Sequence, residues 1–147
     1  MRDDLSQVSV GDGWTESLPA RVRHLRWPSA GTVLAAVLGG VIRIAAVPGS
    51  TATTAGISFR LATDPETRAG YEPPKDGRRR SAQASCTLAA LYSGGWLARR
   101  RTKAGQGPSG SQFEYRPSAE CRRILAEMAA TARPRPPERK EAAHAPV

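Results

Sequence analysis

The run RRRSAQASCTLAALYSGGWLARRR, residues 78–101, opens and closes on three arginines and carries an amphipathic repeat between them. Ser81 is a candidate helix start, because its hydroxyl can accept a hydrogen bond from a free N–H of a first turn. Ala84, Leu88, Leu91 and Tyr92 then fall on one face at helical spacing. Gly94–Gly95 ends that helix, so residues 81–92 are expected as helix. Trp96–Lys103 reads as a strand, Ala104–Ser111 as a Gly/Pro/Ser turn and Gln112–Arg116 as the returning strand, which makes residues 96–116 a basic hairpin.

Downstream of this unit, Pro117–Ser118 opens another helix with Cys121, Ile124, Leu125 and Met128 on its apolar side. Residues 132–147 are Pro-rich and charged and are expected as a disordered tail. Upstream, the stretch TDPETRAGYEPPKDG, residues 63–77, contains no convincing element. Thr53 and Thr54 are cap candidates for a short helix through Ile57 and Leu61, stopped by Asp64–Pro65. Pro28–Ser29 starts a further helix, with Val33, Leu34, Val37, Leu38 and Val41 on one face; Gly39–Gly40 is expected to end or fray it, and Val41–Val47 reads as either a continued helix or a short strand. Residues 1–27 show no sustained period and read as a flexible N-terminal arm with a short basic run. The expected fold class is mainly α with a small β-hairpin (α+β), in one domain over residues 28–131.

Composition points the same way. The chain has 147 residues, one domain with tails, and a formal charge of +9, which favours a polyanionic partner. Cys86 and Cys121 are isolated and the two histidines do not cluster, so no metal site and no cofactor are expected. MRDDLSQ is too polar for a signal peptide, and the apolar stretch Thr32–Val47 is short and carries Arg43. These features predict a soluble, cytoplasmic protein.

The distribution of charge sharpens the expectation. Between Gly77 and Phe113 there are seven cations (Arg78, Arg79, Arg80, Arg99, Arg100, Arg101 and Lys103) and no Asp or Glu, although the chain has thirteen acids elsewhere. Cations on phosphates release condensed counterions, so such a footprint suits double-stranded DNA. Gln83 offers paired hydrogen bonds to an adenine edge, Arg79 or Arg80 can reach guanine or phosphate, and Ser81 and Ser85 flank them. Ala82, Cys86 and Ala90 on the same side are small and read little.

The run from Arg78 to Met128 resembles the recognition helix, wing and following helix of winged helix-turn-helix regulators of the broad MarR, ArsR and PadR type. The matching pieces are Leu88 and Leu91, Gly95–Trp96, Arg99–Arg101, Phe113–Arg116 and Pro117 to Arg122. The resemblance implies a winged-helix DNA-binding protein, a transcription regulator, with helix 81–92 in the major groove and the wing on the backbone. It also implies a homodimer. Two features depart from the pattern: the loop before the helix is long, and Cys86 stands where many relatives carry a long polar side chain. Competing readings are a non-specific or replication-linked nucleic-acid binder, an RNA binder stacking bases on Trp96, Phe113 and Tyr115 (of which strand alternation and the wing comparison place Trp96 in the core), and a membrane-surface or scaffold protein using Thr32–Val47. An enzyme has the least support, since no carboxylate pair or nucleophile–base spacing is present and GQGPSG lacks the ending of a P-loop.

Overall fold

Local hydrogen bonds set where each helix begins. In the computed structural model, which describes residues 7–17, 25–102 and 112–132, helix α1 spans Val33–Ala45. Its cap is Thr32, whose hydroxyl accepts from the Ala35 N–H at 3.2 Å. Ser29, the expected cap, instead supplies a carbonyl to the Thr32 hydroxyl at 2.7 Å. The helix also runs straight through Gly39–Gly40 rather than ending there. The reason is packing: a Cβ on Gly40 would lie 3.1 Å from Ile57 Cδ1 and 3.2 Å from Thr67 Cγ2, so the bare backbone lets the neighbouring helices approach.

Strand β3, Ala52–Thr53, leads into α2, Thr54–Thr63, capped by the Thr53 hydroxyl on the Gly56 N–H. The loop that follows contains an element its sequence did not announce. Asp64 accepts from the Glu66 N–H at 3.1 Å and the Thr67 hydroxyl at 2.8 Å, starting the single-turn helix α3, Pro65–Arg68. Helix α4 spans Gly77–Ser93 and thus begins four residues before Ser81. Asp76 takes the capping role by accepting from the Arg78 N–H at 3.0 Å.

The β component is larger than a hairpin. Strands β1 (Gln7–Ser9), β2 (Thr15–Ser17), β4 (Leu97–Arg101) and β5 (Phe113–Pro117) join β3 in one antiparallel sheet of order β1-β2-β4-β5-β3. The fold is mixed α/β, and residues 7–17, expected within a loose arm, add a hairpin to the outer edge of β4. Trp14 accounts for this: it is only 3% exposed, and a large ring removed from water fixes the segment that carries it. Helix α5, Ala119–Ala132, follows β5 and is capped by Ser118, which accepts from the Cys121 N–H at 3.1 Å and donates to the Gly95 carbonyl at 2.7 Å. Residues 1–6 and 18–24 of the arm, the wing tip 103–111 and tail residues 133–147 lie outside the described residues.

Val37, Leu38 and Val41 of α1, Ile57 and Leu61 of α2, Leu88 of α4, Leu97 of β4 and Cys121 of α5 are all fully buried in one core. Each large aliphatic side chain there stabilises the fold by roughly 1.5–3 kcal/mol through removal from water. Of the apolar residues of 32–47, Ala36, Val37, Leu38 and Val41 face the core, whereas Leu34 and Val47 are exposed. Among the described residues no helix is long and apolar enough to cross a membrane.

Candidate nucleic-acid interface

Helix α4 divides along its length into an inner and an outer face. Ala84, Thr87, Leu88, Leu91 and Tyr92 are buried, whereas Arg78, Arg79, Ala82, Ser85, Cys86 and Ala90 are exposed. The outer face carries no acid. The first turn holds Arg78, Arg79 and Arg80, at the end where the N–H groups already concentrate positive potential.

The expected site residues separate into those that face solvent and those whose groups are engaged within the fold. Arg78 and Arg79 are exposed. Arg80 turns inward: its Nε donates to the Ser58 carbonyl at 3.2 Å, and one terminal nitrogen donates to the carbonyls of Pro74 at 3.1 Å and Lys75 at 3.2 Å. Ser81 is half-buried, its hydroxyl 3.1 Å from that of Ser58. Gln83, the base-reading candidate, has its amide oxygen on the Tyr71 hydroxyl. Ser85 is exposed and borders a cleft of about 270 Å³. That cleft is walled by Thr54 and Ala55 at the start of α2 and by Gln112 and Phe113 at the base of the hairpin, so it joins three elements on the outer side of α4.

The hairpin arginines follow strand alternation. Arg99 and Arg101 lie opposite Tyr115 and Phe113 in the β4–β5 register and share one face of the sheet; Arg100 lies opposite Glu114 on the other. Arg99 is half-buried, its guanidinium carbon 3.9 Å from the Tyr92 ring centroid and 4.2 Å from that of Phe113. Arg101 is exposed, 5.5 Å from the Phe113 centroid. Arg100 pairs with Glu114 at 2.7 Å, donates to the Asp12 carbonyl at 3.2 Å and stacks on Trp14. Burial pushes the Glu114 carboxyl up, but the Thr51 hydroxyl and Arg100 together hold it below its ordinary value. Lys103 lies outside the described residues.

The residues that engage these arginines and Gln83 escaped the sequence reading. Glu114 was findable, because pairing the two strands sets it across from Arg100. Tyr71, Ser58 and Trp14 carry no local signal of their partners. The aromatics proposed for base stacking are mostly inside: Trp96 is 6% and Tyr115 4% exposed. Compared with protein-family profiles, with curated proteins and with solved structures, the chain matches none.

Proposed function

We propose that this protein binds double-stranded DNA as a winged-helix protein, with α4 in the major groove and the β4–β5 hairpin along the backbone. The observation that carries the reading is the acid-free outer face of α4, with Arg78 and Arg79 exposed in its first turn. Like charges at a helix N-terminus cost stability, about 0.3–1 kcal/mol each, and bound phosphates relieve that cost. The element order supports the same reading: α1, β3, α2, α3, α4 and then a hairpin whose second strand pairs with β3. The exposed residues of α4 are short beyond the first turn, which favours close approach to a groove floor.

The bond between Tyr71 and Gln83 favours a sequence-tolerant mode within this function. It occupies the side chain best suited to reading an adenine. Affinity then rests on phosphate contacts, and a role as transcription regulator requires contacts beyond those of α4. A cytoplasmic homodimer belongs to the same proposal, and light scattering of the free protein and of its complex reports it.

Mobility shifts with random duplex at two salt concentrations test the reading. The double variant Arg78→Ala/Arg79→Ala should bind at least about tenfold more weakly and melt no lower than the parent chain. The slope of log affinity on log salt should shrink by about 0.9 for each phosphate that the variant no longer neutralises. Absence of duplex binding by the parent chain at low salt would overturn the proposal.

A further inference from the structure

A second hollow, of about 550 Å³, lies on the sheet face opposite Arg99, away from the outer face of α4. One wall is apolar, made by Ile42 and Ala45 near the end of α1 and by Leu125 of α5. The other wall carries Trp14, Arg116 and Arg122. The Arg116 guanidinium carbon sits 4.2 Å from the Trp14 ring centroid, and that of Arg100 4.6 Å from the same ring.

Arg116 is an expensive residue to hold there. Its Nε is buried and has no hydrogen-bond partner among the described residues. Burial, then the charges of Arg122 and Arg100, push its pKa down; Glu16 and Asp12 oppose this more weakly. The nearby acids are largely committed. Glu16 accepts the Ala119 N–H at 2.9 Å, and Glu114 holds Arg100 and the Thr51 hydroxyl. A partly desolvated guanidinium lining the hollow, beside an apolar wall, is complementary to an anion with an apolar body. The volume falls within the range of small-molecule sites. Asp12 also borders the hollow, which selects a singly charged ligand over a polyphosphate.

We infer that this hollow is a binding site for a small organic monoanion, its carboxylate on Arg116 and its apolar body between Trp14 and Leu125. The site stands independently of the DNA-binding reading.

The full chain is titrated with 1-naphthoate, with 1-naphthalenemethanol as the neutral counterpart, following the Trp14 indole N–H and the amides of Ile42 and Leu125 by NMR. Naphthoate should bind saturably, shift these signals, and bind about tenfold more tightly than the alcohol. Arg116→Met should remove that preference while leaving the alcohol's affinity unchanged. If circular dichroism shows Arg116→Met to be unfolded, Arg122→Gln on the exposed rim decides, with a smaller but measurable loss of preference for the anion. Equal affinity for acid and alcohol, an unchanged preference in the deciding variant, or no shift at Trp14, Ile42 and Leu125 at millimolar naphthoate would each overturn the inference.

Discussion

Arginines that look interchangeable in the sequence have different tasks in the fold. Arg80 holds three carbonyls, Arg100 a carboxylate, and Arg99 two aromatic rings. Arg78 and Arg79, adjacent to Arg80, face water. The Arg100–Glu114 pair has a consequence for acid stability. The Glu114 carboxyl titrates lower in the folded chain than in the unfolded one, so its contribution is present above the unfolded pKa and is lost as pH falls through the folded value. Glu114→Gln should therefore cost about 1.5–3 kcal/mol at neutral pH, with a flatter decline in urea melts as pH falls below the ordinary carboxylate range. An unaltered acid limb would contradict the assignment. The two cysteines also divide. Burial pushes the Cys121 thiol up to about 11, while Cys86 is exposed on α4. A thiol reagent such as DTNB should titrate one equivalent in the native protein and two in denaturant. The positive stretch itself was legible from the residues, because charge is a property of the residue. Which guanidinium is engaged was not, because that depends on partners such as Ser58 and Asp12, far away along the chain.

Among the elements, the positions of α1, α2, α4 and α5 were legible and their ends less so, while the single-turn α3 was not. The apolar spacing of Ala84, Leu88 and Leu91 placed the inner face of α4 correctly. Its start was missed because Asp76 caps as well as Ser81 would, and caps compete on equal terms until tertiary contacts choose. The gap in α1 was misread for a different reason. Gly39 and Gly40 look alike as helix breakers, but a Cβ at Gly39 would meet nothing within 4 Å, whereas at Gly40 it would press on Ile57 and Thr67. Gly39→Ala should thus raise stability by about 0.5–1 kcal/mol, from helix propensity alone. Gly40→Val should lower it by about 1–3 kcal/mol through overpacking. Thermal melts of the two variants should move in opposite directions; movement in the same direction would show that the α1–α2 contact is looser than described.

Taken as a whole, the molecule is a helical core closed on one side by a sheet to which the N-terminal segment contributes two strands. That contribution could not be read from residues 7–17, which have no strong alternation; the burial of Trp14 against Arg100 and Arg116, with the β2–β4 pairing, makes them part of the domain. Trp14→Ala should cost about 3–5 kcal/mol and, in hydrogen exchange, release the β1–β2 amides ahead of the helical core. Uniform loss of protection across the chain would instead make the hairpin inseparable from the core.

The attachment of this hairpin also orders events in time. Gln7 and Thr15 both meet the hydroxyl of Tyr92, 85 and 77 residues further along the chain. On a ribosome β1 and β2 leave before α4 and β4, so their hairpin has nothing to dock on until those elements have followed. The helices α1 and α2 can associate meanwhile through contacts closer in sequence, and long-range pairings of this kind form late because loop closure precedes their reward. A hairpin synthesised ahead of α4 is thus seated after it.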